Sequence, residues 1–420
     1  MSSYADLYVE QHRVFSWRND LSHDMLRFFS KDNLVTASGS DAFDLVKQMG
    51  LRAYEDYEED GDEFQVTLLK IPAKELLHRL LVYGYGDNLL KQMFEMSAEY
   101  ELASAQEMHD TNTDKRMADH YKKRLEHAKA LDYEHWRGEV DAILADKEYD
   151  LVASDASSPF SDLAYIDEGL ILYLFLKDAP DDAKVIIDIS DFAYDGWFDD
   201  SFLELDNIDS LEARLRSAPI LITEGVFDRR VLKESIALLY PHLLPYIKFL
   251  DTDYKTEGGA SAVVKTLKSF AAAGISNRII AIFDNDTAAS EALTALKGFK
   301  LPEYFRVMKY PDIELAREYP TIGPQGQVEM DVNGLAGSIE IYLGRDVLMD
   351  DKGNMLPVQW AGYSAKMKAY QGEVVDKANI QRLFDTKLRT AKEHPEMIQG
   401  QDWEGLRLIV DKIIIEFSKF

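Results

Sequence analysis

Three acidic residues in the second half of the chain directly follow two short apolar stretches. Glu224 comes after Ala218–Thr223, whereas Asp284 and Asp286 come after Arg278–Phe283. Carboxylates are hard oxygen ligands of the kind that Mg²⁺ prefers, together with water and substrate phosphate. A metal held in this way polarises a phosphate and lowers the pKa of an attacking water. The residue types therefore favour a Mg²⁺ or Mn²⁺ site that acts on phosphoryl groups.

The segments around these acids alternate between apolar strands and helices. Such an alternation is typical of parallel βαβ units whose sheet is covered on both faces. The predicted strands are Ala218–Thr223, Tyr246–Leu250, Arg278–Phe283 and Phe305–Met308, and the predicted helices are Asp228–Leu239, Ala260–Ala273 and Thr287–Lys297. Because ligands bind at the carboxyl ends of parallel strands, we expect the acids to meet at one edge of this sheet.

The local sequence also allows a structural interpretation of these residues. Asp286 precedes the predicted helix at Thr287 and could simply cap it. Gly225 after Glu224 would permit a tight turn from strand to helix. Acids that cluster raise one another's pKa, so one of them could serve as a base. Three acids converging from two strands favour the metal site over capping alone.

We predict an α/β fold in which a Rossmann-like parallel sheet lies in the C-terminal half, preceded by a largely helical α+β region. The expected divisions are an N-terminal region, a connecting helix-strand region, a catalytic domain and a C-terminal helical extension. Their predicted bounds are 1–147, 148–210, 211–312 and 313–420. Residues 73–147 are expected to be helical, with Asp132 capping the helix Tyr133–Asp146. Residues Pro320–Gly326 are interpreted as a loop.

Two motifs resemble those of Toprim domains. Residues 220–228 (ILITEGVFD) are similar to the Toprim strand-Glu-Gly-x-x-Asp motif, and residues 279–286 (IIAIFDND) to its strand-Asp-x-Asp motif. The resemblance, closest to OLD-type nucleases, implies hydrolysis of DNA or RNA with Mg²⁺ or Mn²⁺. The implied metal ligands are Glu224, Asp228, Asp284, Asp286 and Glu340. Lys309 could stabilise charge on the phosphate, but a surface lysine whose stem packs on the protein is equally compatible, and Glu340 could equally be an exposed helix residue.

A broader resemblance is to HEPN/Toprim-associated proteins, which are linked with bacterial anti-phage defence. It rests on Tyr4–Val9, on the helix containing Trp136 and on Ser338–Leu343. HEPN ribonucleases use an Arg-x(4–6)-His motif, and Arg18 and His23 have this spacing. The motif precedes the helical block and is short enough to arise by chance. A cationic helix face with Arg116, His120, Arg124 and His127 could meet RNA, but pairing with Asp119 and Glu126 is favoured.

Two further functions compete with the nuclease. Asp284, Asp286 and Thr287 also match the hydrophobic-Asp-x-Asp-x-Thr motif of HAD-type phosphatases, in which the first Asp is the nucleophile. Asp350 and Asp351 would then serve as its distal metal pair. The second alternative is a non-catalytic sensor or a subunit that binds nucleic acid. A βαβ unit containing Glu224 before the Asp-x-Asp motif favours the Toprim interpretation.

Composition restricts the partners. The 420 residues carry a formal net charge of −28, so polynucleotide must meet a local basic surface, a metal or a partner subunit. No cysteine is present, which excludes disulfides and thiolate zinc sites and fits a cytoplasmic protein. The longest apolar run, Gly169–Leu176, is too short to span a bilayer. No GxxxxGK[ST] motif occurs, so we expect any ATPase sensor to be a partner, with a homo-oligomer as the other possibility. The acidic run Glu55–Glu63 is expected to be a solvated loop.

Overall fold

The structure is a computed structural model of the chain. It describes residues 2–10, 12–51, 64–146, 151, 159–160, 163–198, 203, 218–250, 258–324 and 326–420, without the side chain of His23. The expected acidic loop Glu55–Glu63 lies outside these ranges. The chain divides into an N-terminal unit, Met1–Asp209 with Lys419, and a C-terminal unit, Ser210–Ser418 with Phe420.

The N-terminal unit is built on a five-stranded antiparallel sheet with the order β2-β1-β5-β4-β3. The strands are β1 Tyr4–Val9, β2 His12–Arg18, β3 Leu34–Ser38, β4 Gln65–Pro72 and β5 Lys184–Asp188. The helices are α1 His23–Leu26, α2 Gly39–Met49, α3 Ala73–Val82, α4 Asp87–Thr111, α5 Ala118–Ala130, α6 Tyr133–Ala145, α7 Glu168–Leu176 and α8 Ser190–Tyr194.

Neighbouring residues of the central strands enter different cores. Leu69 and Ile187 belong to the large cluster that also contains α7, whereas Leu68 and Ile186 belong to a smaller cluster with α2. Successive side chains of a strand point to opposite faces, so both faces of this sheet are covered. Among the described residues, no helix is long and apolar enough to cross a membrane.

The predicted helical block is confirmed by α3 to α6. Asp132 caps α6 as expected, because its carboxylate accepts a hydrogen bond from the His135 N–H at 3.0 Å. Trp136 and Val140 lie buried on the inner face of that helix.

The C-terminal unit contains a four-stranded parallel sheet with the order β10-β8-β6-β7. Its strands are β6 Ile220–Ile222, β7 Lys248–Phe249, β8 Ile279–Phe283 and β10 Phe305–Lys309. The helices of this unit are α9 Val226–Leu239, α10 Ala260–Ala272, α11 Thr287–Leu293, α12 Lys377–Glu393 and α13 Glu404–Phe417. All five residues of β8 are buried, as is typical of a parallel strand covered on both faces. The mixed α/β class and the parallel sheet are therefore as predicted.

A second sheet of the C-terminal unit was not predicted. Its order is β12-β11-β14-β15, with β11 Tyr319–Gly323, β12 Gly326–Met330, β14 Val358–Ser364 and β15 Ala369–Val374. The interpretation of Pro320–Gly326 as a loop was therefore wrong. Pro320 lies outside the stretch that pairs with β14, so its missing N–H breaks no bond to that strand. A small two-stranded sheet joins β9 Asn285–Asp286 to β13 Ala336–Gly337.

Candidate metal centre at the carboxyl edge of the parallel sheet

Glu224 and Asp284 meet at the carboxyl ends of two adjacent parallel strands. Glu224 follows β6 and Asp284 follows β8, and Ile222 of β6 lies opposite Ala281 of β8. The Asp284 N–H donates a hydrogen bond to Glu224 Oε1 at 2.9 Å. The apolar strands thus fix the backbone that carries both acids, and the structure brings these two predicted site residues into direct contact.

Asp228 reaches the same edge from the first turn of α9. The Tyr310 hydroxyl, which follows β10, donates to Asp228 Oδ1 at 2.9 Å. A Cβ placed on Gly225 would lie 2.7 Å from Asp228 Oδ2. Gly225 has an ordinary φ of −134°, so its role here is to leave room for the Asp228 carboxylate, rather than the conformational freedom expected from the sequence.

Asp286 caps helix α11, as the structural interpretation of this residue predicted. Its Oδ1 accepts a hydrogen bond from the Ala289 N–H at 2.7 Å. Lys309 lies beside this helix start, because its Nζ donates to Ser290 Oγ at 2.9 Å and Ser290 Oγ donates to the Asp286 carbonyl. Burial lowers the pKa of Lys309, and the Asp286 charge opposes that effect. Lys309 therefore belongs to the polar network of the site.

Glu340 is buried, with 4% of its surface exposed, so its interpretation as an exposed helix residue was wrong. It lies in a 3₁₀ turn, Ile339–Leu343, that follows strand β13 in the chain. Strand β13 in turn pairs with β9. The Ser338 hydroxyl donates to Glu340 Oε2 at 2.7 Å and the Gln381 side chain donates to Oε1 at 3.1 Å. The β9–β13 pairing brings this distant carboxylate towards the sheet edge.

Burial raises the pKa of four carboxyl groups, and repulsion between acids adds to this effect for three of them, Glu224, Asp228 and Asp284. Burial, with the charges of Asp286 and Asp228, raises the pKa of Glu224 to about 7. Burial and the charge of Glu340 raise the pKa of Asp228 to about 6, although the hydrogen bond from the Tyr310 hydroxyl acts to lower it. Burial and the surrounding acids raise the pKa of Asp284 well above its usual range, and burial also raises that of Asp286. This clustering makes a cation favourable at the site.

Lys377 is a charged neighbour of the site that the sequence reasoning missed. It begins α12, one turn before Gln381, whose amide contacts Glu340. Burial lowers the pKa of Lys377, but the charges of Glu340, Glu373 and Asp284 outweigh it and raise the pKa. A lone lysine at a helix start has no local sequence signature, so only the tertiary fold identifies it.

The donor set fits a divalent cation in one respect. Asp284 Oδ1 is buried and accepts no hydrogen bond from any residue that the structure describes, although other carboxylates surround it. A buried unpartnered oxygen is costly, and a cation would satisfy it. Within the described ranges no group of three or more His, Asp or Glu side chains is arranged so that it could hold a metal ion. Mg²⁺ is typically held by one or two carboxylates with several waters, so this open set suits it.

Arg18 and Asp350, which were considered for ribonuclease and phosphatase activity, form hydrogen bonds with residues other than the clustered acids. Arg18 Nη2 donates to Ser2 Oγ at 3.0 Å, and the side chain of His23 lies outside the described atoms. Asp350 of the suggested phosphatase pair is partly exposed, and its Oδ1 accepts hydrogen bonds from Lys352 N–H and Asn354 N–H at 2.8 Å each. Its carboxylate thus closes its own turn.

The cationic face of α5 is largely paired. Arg124 donates to both oxygens of Glu101, at 2.6 and 2.7 Å, and Arg116 pairs with Asp114 at 2.9 Å. Lys123 pairs with Asp119. Arg116 and Arg124 are paired, as the favoured interpretation expected, but not with the expected partners Asp119 and Glu126. Their partners are Asp114 and, on α4, Glu101.

Comparison with known proteins gave one match. A family model described as HEPN/Toprim N-terminal domain 1 matches residues 1–212. No curated protein and no solved structure matches the chain. The family match covers half of the chain and ends before Glu224. The carboxylate edge, formed by Glu224, Asp228, Asp284 and Asp286, therefore lies outside the matched segment.

Proposed function

Because the chain belongs to the HEPN/Toprim N-terminal domain 1 family, we propose that its C-terminal unit is a Toprim-type nuclease domain. It would hydrolyse the phosphodiester bonds of DNA or RNA with Mg²⁺ or Mn²⁺. In keeping with the resemblance of the family to bacterial conflict proteins, the chain would act as an effector in anti-phage defence.

The observation that carries this proposal is the buried, unpartnered Asp284 Oδ1 beside Glu224 at the carboxyl edge of the parallel sheet. Other acids act on Asp284 from two further elements, Asp228 on α9 and Glu340 on the 3₁₀ turn. Like charges are costly to hold together in a buried site, and a divalent cation removes that cost. Sites with strongly perturbed pKa values are frequently functional.

The residues have distinct expected roles. Glu224, Asp228, Asp284, Asp286 and Glu340 would hold the metal. When bound, the metal supplies an activated water and neutralises charge on the phosphate. Glu224, with a pKa of about 7, is suited to accept a proton near neutral pH. Lys377 and Lys309 provide positive charge beside the acids and would stabilise the negative charge that develops on the phosphate.

The charge of the chain bears on its regulation. With a net charge of −28 the protein should bind polynucleotide weakly by itself. We therefore expect the N-terminal unit to restrain or target the nuclease through self-assembly or through a partner ATPase or sensor. A comparison of cleavage and salt dependence before and after addition of such a partner would measure this effect.

The central experiment is a cleavage assay of the purified full chain on plasmid, single-stranded DNA and tRNA, with Mg²⁺, Mn²⁺ or chelator. We expect cleavage that requires metal. Asp284→Asn should lower it by roughly a thousandfold, because metal contacts to the reacting phosphate are worth several kcal/mol.

Asp350→Asn is the matched control, since it makes the same change at a partly exposed aspartate of the same unit. It should leave cleavage unchanged under the nuclease proposal, whereas a phosphatase using the Asp350–Asp351 pair would lose activity. Wild-type cleavage by Asp284→Asn, or a trapped phosphoaspartate on Asp284 with activity on small phosphate esters, would contradict the nuclease.

A further inference from the structure

Three aromatic side chains lie together on the hairpin β14–β15. The rings of Tyr363 and Tyr370 lie 5.3 Å apart, and those of Trp360 and Tyr370 lie 5.9 Å apart. The two tyrosines face each other across the hairpin and are 57% and 52% exposed. Aromatic rings in mutual contact normally bury their faces in a core or an interface. This group instead offers its faces to solvent.

The neighbouring strands make room for this group. A Cβ on Gly372 of β15 would lie 2.8 Å from Trp360 Cε3, and a Cβ on Gly323 of β11 would lie 3.2 Å from its Cδ1. The indole therefore lies close against the backbone of the strands on both sides of its own. Glycine weakens a strand, so the two glycines lower the stability of β11 and β15 but leave room for the Trp360 ring.

Positive charge lies at the tip of the same hairpin. Lys366 and Lys368 are exposed in the turn between β14 and β15, and among the described residues neither forms an ion pair. Lys368 has a φ of +53°, a conformation in which glycine or asparagine is less strained. In a chain with a net charge of −28, these two cations give the aromatic hairpin a local charge suited to phosphate.

Two hydrogen bonds fix the hairpin to the helix that Asp286 caps. Thr287 Oγ1 donates to the Tyr370 carbonyl at 2.6 Å. In the adjoining residue pair, next to the turn, Ser364 Oγ donates to Glu291 Oε2 at 2.7 Å. Because Thr287 directly follows Asp286, the backbone of the hairpin at Tyr370 is held next to the helix start that Asp286 caps.

We propose that this aromatic hairpin, defined by Trp360, Tyr363, Tyr370, Lys366 and Lys368, binds unpaired nucleotides of the substrate. Bases would stack on the two exposed tyrosines while the lysines contact phosphates. This inference rests on the proposed nuclease function and names its substrate as single-stranded nucleic acid, DNA or RNA. Stacking requires accessible base faces, which a duplex does not offer, and it tolerates any sequence. The unpaired lysines favour a polyanion over an apolar protein partner.

The test measures binding without cleavage. Full-length protein in chelator is titrated into fluorescent oligothymidylate, oligouridylate and a DNA duplex, and the anisotropy is followed. We expect tighter binding of a single strand than of the duplex. Tyr363→Ala and Tyr370→Ala should each weaken single-strand binding about tenfold, a change within the range found for lost base stacking.

Three controls separate stacking from other effects. Tyr363→Phe and Tyr370→Phe keep the rings and should bind as the wild type does. Tyr194→Ala removes an 89% exposed tyrosine of the N-terminal unit and should change nothing. Lys368→Gly should weaken binding while leaving the melting temperature at least as high, since glycine accepts the positive φ.

Unchanged affinity in the two alanine variants, a preference for duplex, or no binding of either single strand would overturn the inference. The nuclease proposal is judged separately by the metal-dependent assay. A wild type that binds single strands through the tyrosines but never cleaves keeps this inference and loses the nuclease. If the wild type cleaves nucleic acid and the two alanine variants bind and cleave as it does, the nuclease proposal is kept and this inference is lost. The thymidylate and uridylate arms distinguish DNA from RNA.

Discussion

The two units treat a buried carboxylate in opposite ways. In the N-terminal unit Glu101 is 7% exposed and receives both arms of the Arg124 guanidinium. In the C-terminal unit Asp284 is surrounded by other acids, and its Oδ1 has no hydrogen-bond partner. A paired buried charge holds helices in place, whereas a group of repelling charges is stable only if something else compensates it. The first arrangement is structural, and the second is where the proposed function would place a cation.

The largest effect is expected where the same local feature occurs in both units. Asp132 and Asp286 each cap a helix by accepting a hydrogen bond from the N–H three residues later. Asparagine caps a helix about as well as aspartate does, so Asp132→Asn and Asp286→Asn should each change stability by less than about 0.5 kcal/mol. Asp286→Asn should nevertheless lower cleavage by roughly a hundredfold or more, because it removes a metal-binding charge.

Thermal melting and the metal-dependent cleavage assay on the two cap variants measure this difference. The Asp132 variant is the matched control for loss of a capping charge and should cleave like the wild type. Full activity of Asp286→Asn would mean that Asp286 is a helix cap and nothing more, and the two units would then not differ at this feature.

The second prediction concerns the sign of a stability change. Glu101→Gln should destabilise the protein by about 2 kcal/mol, because hydrogen bonds to a charged group are lost and Arg124 is left without its partner. Asp284→Asn in chelator should instead leave the melting temperature unchanged or raise it, since one repelling charge is removed. Differential scanning calorimetry above about pH 7, where Glu224 is charged, gives the largest contrast.

Metal sharpens the same contrast. A ligand that binds only the native state raises apparent stability by mass action, so Mg²⁺ or Mn²⁺ should stabilise the wild type and Glu101→Gln equally. Asp284→Asn should respond much less. Equal destabilisation of both variants in chelator would show that Asp284 is an ordinary buried polar residue.

The sequence predicted those parts of the site that depend on local pattern and strand polarity. The apolar stretches before Glu224 and Asp284 are strands, and their parallel pairing brings the two acids into contact. Asp286 was foreseen as a helix cap from its position before Thr287. These features follow from residues that are close in the chain.

Features that depend on distant pairing could not be predicted. Glu340 is buried because β13 pairs with β9, and no local pattern signals a two-residue strand. Lys377 lies near the acids only because helix α12 packs there. Strand β11 was not predicted because it contains Pro320, and proline is rare inside sheets. The aromatic hairpin was missed since its residues become neighbours only in the folded sheet.

The last prediction is that the free energy of unfolding depends on pH through Glu224 of the C-terminal unit. Burial raises the pKa of Glu224 from its ordinary value of 4.5 to about 7 in the folded protein. Between these values the native state retains a proton that the unfolded state has lost, so the free energy of unfolding falls as pH rises. The contribution is fully present below about pH 4.5 and is lost by about pH 7. Its size is on the order of 3 kcal/mol.

Glu224→Gln isolates this contribution because glutamine keeps the shape but does not titrate. In chelator, the melting temperature of the wild type should fall relative to that of Glu224→Gln as pH rises across the window from about 4.5 to 7. Added Mg²⁺ should oppose the fall in the wild type alone, since a cation favours the charged carboxylate. Glu101→Gln serves as the control from the N-terminal unit and should follow the wild-type slope. Parallel curves for wild type and Glu224→Gln would mean that Glu224 titrates as an ordinary carboxyl group, which would remove the electrostatic difference between the two units at this residue.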